Sequence, residues 1–122
     1  HFLGQIPYQH FVTLLQLSTV HVYLTYPFVL SWSLLEAMSC GCAIVASDTK
    51  PLHEAIMHDQ TGVLTSFFDA HALARCVNQL LSDPRTRERL GKNAREFAIK
   101  HYDLTQVSLP KLTAMVERYR PK

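Results

Sequence analysis

The sequence predicts a doubly wound α/β fold with a parallel sheet and a helical C-terminal tail. Short segments rich in β-branched and aromatic residues alternate with helical segments in the first half of the chain. Residues 42–46 form a short run without any polar residue, which is typical of a strand buried on both faces of a parallel sheet. Only helical patterns follow residue 69. Helices are therefore expected on both faces of the sheet and at the end of the chain.

The first half of the chain predicts short strands separated by helices. Leucine and phenylalanine recur at helical spacing within residues 8–17, whereas residues 19–25 are β-branched and aromatic. Gly41 ends the next helix, for which Ser31 or Ser33 is the cap. The predicted segments are a strand tail at 1–4, a helix at 8–17, a strand at 19–25, a helix from Ser31 or Ser33 to Gly41, a strand at 42–46, a short helix at 51–56 and a strand at 61–64.

The second half predicts three helices. An aspartate stands before each of the first two, which are expected to end near residues 81 and 101. The last helix is predicted at residues 105–118. Because Pro110 lacks a backbone N–H, we expect the first turn of that helix to start late or to kink.

Length and composition indicate a single domain that does not bind nucleic acid. The chain has 122 residues, of which 48% are hydrophobic, enough to bury a core. The formal net charge is only +2, and the basic residues form no long stripe of the kind that binds nucleic acid. No apolar run reaches the roughly 18 to 20 residues that cross a bilayer. We therefore expect a soluble protein without a nucleic-acid partner.

The cysteines indicate a reducing compartment. Cys40, Cys42 and Cys76 are odd in number and have no paired spacing, which argues against a disulfide framework and for the cytoplasm. The Cys40-Gly41-Cys42 spacing is narrower than that of most zinc sites and lacks a second pair of ligands. We expect no metal site.

The start of the chain suggests that part of the domain is absent. The first residue is His1 rather than Met, and the chain enters a predicted strand directly. A sheet of this type usually has more strands than the three or four visible here. We therefore expect that the N-terminal part of the domain is missing.

Residues 34–47 carry the most specific motif, Leu-Leu-Glu-Ala-Met-Ser-Cys-Gly-Cys-Ala-Ile-Val-Ala-Ser. This segment resembles the signature of retaining glycosyltransferases with the two-Rossmann-domain (GT-B) fold. That group 1 family includes glycogen synthases, sucrose synthases and many bacterial mannosyl- and glucosyltransferases. Neighbouring pieces match in the same order, so the resemblance covers nearly the whole chain: Phe2-Leu3-Gly4, a Pro-Tyr helix, Leu24-Thr25, Glu54 and residues 61–64.

The resemblance implies that residues 1–122 are part of a C-terminal, Rossmann-like domain that binds a nucleotide sugar. The N-terminal acceptor domain would be absent. The parent enzyme would transfer a hexose from a nucleoside diphosphate sugar to an acceptor with retention of anomeric configuration, without a metal or another cofactor. The implied partners are the nucleotide sugar and the missing acceptor domain, and the present chain alone is expected to have negligible transferase activity.

The same resemblance places Glu36 against the ribose hydroxyls of the donor. A carboxylate accepts two hydrogen bonds from a vicinal diol, and the carboxyl ends of parallel strands form the crevice where such ligands bind. The helix start at residues 29–33 would face the diphosphate. No catalytic residue is assigned, and the candidate donor-binding residues are Phe28, Val29, Leu30, Ser31, Ser33, Glu36 and Glu54.

Phe28 is the main departure from the family pattern. The family motif usually has a second glutamate that contacts the donor sugar, with seven residues between the pair, and this position is Phe28 here. Phenylalanine cannot accept a hydrogen bond from a sugar hydroxyl. Either residues 26–33 recognise the donor in another way or donor-sugar recognition has changed.

Several candidate residues also have a simpler interpretation. Ser33 and Glu36 have the spacing of a capping box, in which Glu36 accepts the Ser33 backbone N–H. Glu54 on a short helix is most commonly a solvated charge. Trp32 lines a sugar pocket or, more commonly for such a residue, packs in the core.

Residues 85–100 predict a mixed-charge helix with a solvated surface and several i,i+4 pairs. Related enzymes often use lipid acceptors, so a peripheral position at the inner membrane surface is the alternative, which the interspersed glutamates disfavour. His10, His21 and His101 have no partners at catalytic spacing and are expected to be structural or exposed.

A rival hypothesis from another functional class is a non-catalytic α/β module that binds a partner or has a regulatory role. Phe28 is its best support. Self-association is a third prediction, because a truncated sheet would leave the hydrogen-bonding groups of one strand unpaired.

Overall fold

Strands and helices alternate up to residue 65, and among the described residues that follow there are helices but no strand. A computed structural model of the chain describes residues 1–26 and 29–120. The elements in chain order are α1 (Tyr8–Leu17), β1 (His21–Tyr23), α2 (Trp32–Ser39), β2 (Ile44–Ser47), a 3-10 helix (Lys50–Glu54), β3 (Val63–Thr65), α3 (Ala70–Ser82), α4 (Pro84–Tyr102), a π-helical turn (Leu104–Ser108) and α5 (Leu109–Arg118).

The three strands form a parallel sheet in the order β1-β2-β3. Val22 pairs with Val45 in the first ladder, and Ala46 pairs with Leu64 in the second. Every residue of the central strand β2 is buried. The prediction of a central, parallel strand without polar alternation is therefore confirmed.

Helices pack on both faces of β2, as the doubly wound fold requires. Ile44 and Ala46 belong to one buried cluster, whereas Val45 belongs to a second cluster on the other face.

The first cluster includes Leu34, Ala37 and Met38 of α2 with Ala94 and Ala98 of α4. The second includes Leu80 of α3 and Leu90 of α4. The alternation of side chains along a strand explains why a run of apolar residues supplies both cores.

A pair of glycines sets the contact between α4 and the turn after α2. Gly41 follows α2 with a φ of 76°, a conformation that favours glycine. Gly91 of α4 lies directly against it, and a Cβ atom on Gly91 would stand 2.2 Å from the carbonyl oxygen of Gly41. The approach of α4 to this turn therefore depends on the missing side chain at residue 91.

A buried serine joins the carboxyl ends of β1 and β2. Ser47 Oγ accepts the Thr25 backbone N–H at 3.0 Å and donates to the Thr25 carbonyl oxygen at 2.8 Å. Both backbone groups of Thr25 are thus paired where the chain leaves the sheet, which fixes the start of the loop that leads to α2.

The predicted strand tail at residues 1–4 is wrong, since residues 1–7 contain no strand. Phe2 and Leu3 are exposed, and Gly4 has a φ of 62° as expected for a glycine turn. A parallel strand needs a neighbour in the sheet, and residues 1–3 pair with no strand of the described sheet. For the same reason β1 covers three residues rather than the predicted seven, because only His21–Tyr23 pair with β2.

The predicted start signals of α3 and α4 are confirmed. Asp69 Oδ1 accepts the Ala72 N–H at 2.8 Å, and Asp83 Oδ1 accepts the Thr86 N–H at 3.1 Å. Each aspartate satisfies one of the free N–H groups in the first turn of its helix.

The expected irregularity before Pro110 is also present. A π-helical turn occupies Leu104–Ser108, and α5 begins only at Leu109. Asp103 Oδ1 accepts the N–H groups of Thr105 and Gln106 at the start of that turn. Because proline cannot donate the regular helical hydrogen bond, the wider turn delays the start of α5.

The solvated surface predicted for residues 85–100 is only partly correct, because three arginines of α4 bind backbone carbonyls of neighbouring segments. Arg87 Nη1 donates to the carbonyl oxygens of Leu80 and Leu81. Arg89 donates to the Asp59 carbonyl, and Arg95 to that of Ser39. The only i,i+4 ion pair among the described residues is Lys92 with Glu96 at 3.9 Å. Charge patterning could not reveal these partners, because they are backbone carbonyls and those of Asp59 and Ser39 are remote in sequence.

Within the described sheet, β1 pairs with β2 alone, so its other edge has no neighbouring strand. Such an edge presents free backbone donors and acceptors to another chain. Self-association through β1 remains a prediction that light scattering of the purified chain tests directly.

Candidate functional site

Glu36 lies on α2, in the wall of a cavity between α2 and the end of α4. The residues of α2 that face the core are Leu34, Ala37 and Met38. Glu36 is only partly buried and lines a cavity of about 610 Å³. A ligand in this cavity could therefore reach the carboxylate. The other lining residues are Trp32, Leu35, Ser39, Ala98, Ile99, Tyr102, Asp103, Leu104 and Ser108.

Ser31 caps α2, and the alternative capping box between Ser33 and Glu36 is wrong. The helix begins at Trp32, so Ser33 lies inside its first turn. The backbone N–H of Ser33 donates to Ser31 Oγ at 3.3 Å. A residue within the helix cannot serve as its N-cap, and Glu36 is therefore not needed for the start of α2.

Tyr8, the first residue of α1, places its hydroxyl beside the Glu36 carboxylate. A hydrogen bond to Glu36, together with the negative charge of that side chain, raises the pKa of Tyr8. Sequence analysis did not identify Tyr8, because its position after Pro7 indicates only the start of a helix.

Trp32 lines the same cavity and is not part of the core. The residue is 85% exposed, so the more common interpretation of Trp32 was wrong. The reason is its position in the helix, since Trp32 is the first residue of α2 and precedes the turn that faces the sheet. An exposed indole beside a carboxylate is available to pack against a flat ligand.

Two serine hydroxyls lie at the start of α2, one from the N-cap Ser31 and one from Ser33 in the first turn. Ser31 Oγ and Ser33 Oγ lie 2.9 Å apart, and both residues are partly buried. Val29 is exposed and Leu30 packs against the core cluster. The four residues predicted to face a diphosphate thus lie together at the N-terminus of α2. Phe28, the residue that departs from the family pattern, lies outside the described residues.

Glu54 lies on the 3-10 helix and is exposed. Its Oε1 accepts a hydrogen bond from the Tyr102 hydroxyl at 3.1 Å. Burial raises the pKa of Tyr102, and the hydrogen bond to Glu54 adds to the effect. Tyr102 also lines the cavity that contains Glu36, so Glu54 is connected to this cavity through Tyr102 rather than by a direct contact with Glu36.

The cysteines and histidines form no arrangement suited to a metal within residues 1–26 and 29–120. Cys42 Sγ donates to the Leu15 carbonyl at 3.1 Å, and burial raises the pKa of this thiol to about 11. His101 is exposed and stacks on Phe97, with ring centroids 4.4 Å apart. His21 is partly buried in β1, where burial lowers its pKa. These contacts are structural.

None of the described helices combines the length and the apolar content needed to cross a membrane.

Comparison with a protein-family model gives the first independent indication of ancestry. The model for glycosyl transferases group 1 matches residues 1–97. An N,N'-diacetylbacillosaminyl-diphospho-undecaprenol alpha-1,3-N-acetylgalactosaminyltransferase of Campylobacter jejuni is 35% identical over 101 residues. That alignment covers 83% of this chain and 26% of the relative. The chain thus spans about a quarter of the length of the curated relatives it matches.

Solved structures show the same fold. Sucrose-phosphate synthase from Thermosynechococcus elongatus superposes with a TM-score of 0.84 and 28% sequence identity, covering 98% of this chain and 30% of the synthase. Anabaena HepE in complex with UDP superposes with a TM-score of 0.77 over 85% of this chain and 29% of HepE. At 22% identity, the likeness to HepE concerns the fold alone. Because the family model matches most of its length, the chain belongs to the glycosyl transferases group 1 family.

Proposed function

We propose that this chain supplies the ribose- and diphosphate-binding part of the donor site in a glycosyltransferase. The enzyme would transfer a hexose from a nucleoside diphosphate sugar to an acceptor with retention of anomeric configuration. The chain corresponds to about a quarter of its relatives, and the proposed enzyme therefore includes an acceptor domain that these residues do not supply. Family membership supports the reaction class, and the geometry around Glu36 supports the donor site.

The observation that carries the proposal is the position of the Glu36 carboxylate. Glu36 is partly buried in the wall of the cavity. Because Ser31 rather than Ser33 caps α2, the Glu36 carboxylate takes no part in a capping box. The hydroxyl of Tyr8 lies beside it. The remaining acceptor capacity suits the two adjacent hydroxyls of a ribose, since charge-assisted hydrogen bonds are roughly twice as strong as neutral ones.

The N-terminus of α2 fits the diphosphate in the same proposal. The dipole of a helix favours negative charge at its N-terminus. The hydroxyls of Ser31 and Ser33 hydrogen-bond each other there, which leaves one of their two protons for a ligand. The protein would thus stabilise the charge of the leaving nucleotide through fixed dipoles. A bound metal ion has no role in this proposed mechanism.

The choice of nucleotide rests on likeness alone. HepE, which shares the fold, was crystallised with UDP. The Campylobacter relative is named as an N-acetylgalactosaminyltransferase. A uridine nucleotide is therefore the first ligand to test, with guanosine and adenosine diphosphates as comparisons.

Calorimetric titration of the chain with UDP, GDP and ADP tests the proposal. We expect saturable binding of at least one nucleotide, weakened about 10-fold or more by Glu36→Gln, because the neutral amide loses charge-assisted hydrogen bonds. Glu117→Gln on α5 is a matched control, since Glu117 is exposed and lines neither the Glu36 cavity nor the α2 start. Circular dichroism would verify that both variants fold.

Binding that survives Glu36→Gln unchanged would contradict the assignment of the ribose site. If none of the three nucleotides binds, the rival non-catalytic α/β module becomes the better explanation. Tyr8→Phe provides a further test of the geometry. We expect it to weaken nucleotide binding less than Glu36→Gln, because it removes a positioning contact and leaves the carboxylate in place.

A further inference from the structure

Helix α5 carries an apolar face that no described part of the chain covers. Its large apolar side chains recur at helical spacing, so they lie along one side of the helix, and every residue of α5 is exposed. Single exposed apolar residues are common, whereas a contiguous row marks a surface that meets a partner or a membrane. The apolar residues that are at least half exposed are Leu109, Leu112, Met115, Val116 and, directly after the helix, Tyr119.

Basic side chains border this apolar face. Met115 has Lys111 one turn before it and Arg118 one turn after it, so the two cations lie along the same flank of the helix. Arg120 follows the helix and is also exposed. Residues 104–120 contain three basic residues against one acidic residue, Glu117, which gives the segment a net charge of +2. The face is therefore both apolar and cationic at its border.

The cations of α5 are not used within the fold. None of Lys111, Arg118 and Arg120 forms an ion pair with another described residue. Arg118 lies over the ring of Tyr119, with its guanidinium carbon 5.9 Å from the ring centroid. The arginines of α4, by contrast, bind carbonyls of neighbouring segments. A partner of α5 should therefore combine negative charge with an apolar surface.

A second copy of the chain fits this face poorly. In a two-fold symmetric pair of antiparallel α5 helices, each flank of the helix meets the same flank of the other copy. Lys111 of one copy would then lie near Arg118 of the other, and like charges would meet along the interface. An anionic lipid surface offers phosphates to the cations and an acyl boundary to the apolar side chains.

We propose that α5 binds an anionic lipid surface, with its axis parallel to the membrane plane. The apolar side chains enter the boundary between headgroups and acyl chains, and the cations extend from it to the lipid phosphates. Tyr119 suits the same boundary, because its apolar ring carries a polar hydroxyl. The described lining of the Glu36 cavity includes no residue of α5. The inference thus goes beyond the proposed function and does not depend on nucleotide binding.

Flotation of the purified chain with lipid vesicles tests the inference, because lipid-bound protein floats in a density gradient and aggregates do not. The anionic vesicles are phosphatidylcholine with about 30% phosphatidylglycerol, and the neutral ones are phosphatidylcholine alone. We expect binding to the anionic vesicles to be about 10-fold tighter or more. Salt at about 0.5 M should release most of the bound chain, because it screens the surface charge.

Substitutions in α5 should separate its two contributions. Leu112→Ser removes an apolar side chain from the middle of the face and should weaken vesicle binding about 5-fold or more. Lys111→Glu combined with Arg118→Glu should weaken binding to anionic vesicles about 10-fold or more. Because α5 is exposed, the unfolding temperature should change little in both variants, and circular dichroism verifies this.

The matched controls lie outside α5. Leu17→Ser changes an exposed leucine of α1, and Lys100→Glu reverses an exposed charge on α4. Both variants should retain most of the vesicle binding, since neither changes the proposed surface.

Failure to float with anionic vesicles would overturn the inference. Equal flotation with neutral vesicles would do the same, as would flotation that both α5 variants leave unchanged. Sedimentation velocity without lipid tests the other occupant, because a dimer that Leu112→Ser dissociates would assign the face to a second copy instead. In each of these cases nucleotide binding that depends on Glu36 leaves the proposed function intact. Conversely, flotation that depends on α5 without any nucleotide binding would support this inference and remove the proposed function.

Discussion

Two neighbouring helices, α4 and α5, have similar patterns in the sequence and opposite environments in the structure. Both contain apolar residues at helical spacing and a proline in the first turn. Helix α4 buries Leu90, Gly91, Ala94 and Ala98, whereas no residue of α5 is buried. The exposed apolar side chains of α5 are Leu109, Leu112, Met115 and Val116.

The difference shows what an amphipathic pattern leaves undecided. Periodicity determines that a helix has an apolar face, but contact with another element determines whether that face is covered. Helix α4 has such a contact because Gly91 permits it to approach the turn at Gly41 and because its arginines reach carbonyls of three other segments. Stability is therefore expected to depend strongly on α4 and weakly on α5.

Gly91→Ala is expected to have the largest effect. The added methyl group would stand 2.2 Å from the Gly41 carbonyl oxygen, a backbone atom that cannot rotate away. Overpacking at such a site should lower the free energy of unfolding by about 3 kcal/mol. Urea unfolding followed by circular dichroism measures it. Lys92→Ala on the exposed face of the same helix is the control and should change the free energy of unfolding very little. If Gly91→Ala were as stable as wild type, α4 could not approach the Gly41 turn as closely as described.

Gly41→Ala should have a smaller effect for a different reason. A Cβ atom at this position would lie 3.7 Å from the nearest atom, which is ordinary contact, so the cost comes only from the φ of 76°. An alanine in the left-handed region loses about 1 kcal/mol. Gly41→Asn should lose less, because asparagine tolerates this conformation better. The same urea titration compares the two variants with Gly91→Ala, and a loss from Gly41→Ala as large as that from Gly91→Ala would contradict the separation of strain from overpacking.

The aspartate that caps α4 should make the stability of this helix depend on acid pH. The hydrogen bond from the Thr86 side chain, followed by that from its backbone, holds the pKa of Asp83 below its usual value of 3.8. A lowered pKa in the folded state means that this contribution is fully present above the unfolded pKa and is lost as pH falls through the folded pKa. Asp83→Ala should therefore be less stable than wild type at pH 7.

The stability difference between wild type and Asp83→Ala should begin to shrink below about pH 4, where the aspartate of the unfolded state becomes protonated, and should be lost as pH falls through the lower pKa of the folded state. Thermal unfolding at pH 7 and at pH 2.5 tests this trend. Asp83→Asn keeps a capping oxygen without titrating and is the matched control. A difference between wild type and Asp83→Ala that grows on acidification would show that the charge does not stabilise the folded state.

Leu112→Ala should have the smallest effect. Leu112 of α5 is 54% exposed, so truncation should cost less than about 0.5 kcal/mol. The matched substitution Leu90→Ala in α4 removes a completely buried side chain and should cost about 3 kcal/mol.

A large loss from Leu112→Ala would mean that another molecule, such as a second copy of this chain, covers the apolar face of α5 in solution. Chemical denaturation at two protein concentrations distinguishes this case, because only an interface between copies makes stability depend on concentration.

Sequence patterns predicted most elements of the fold. They failed where pairing with a neighbouring strand determines whether a segment is a strand at all. The apolar run of β2, the aspartates before α3 and α4 and the irregular turn before Pro110 were all visible in the sequence. The strand tail at residues 1–4 was not confirmed, because a strand exists only with a neighbour to pair with. The candidate site shows the same division. The motif at residues 34–47 identified Glu36, but nothing in the sequence indicated that Tyr8 lies beside it or that Trp32 is exposed.

The sequence by itself determined the family, the type and order of most elements and the apolar strand at the centre of the sheet. These follow from propensity, periodicity and capping, which act over about a dozen consecutive residues. The tertiary structure alone decided which face of each helix is covered and which residues join Glu36 at its cavity. Such contacts join residues that are remote in the chain, and their geometry depends on how closely the helices and the sheet can approach one another.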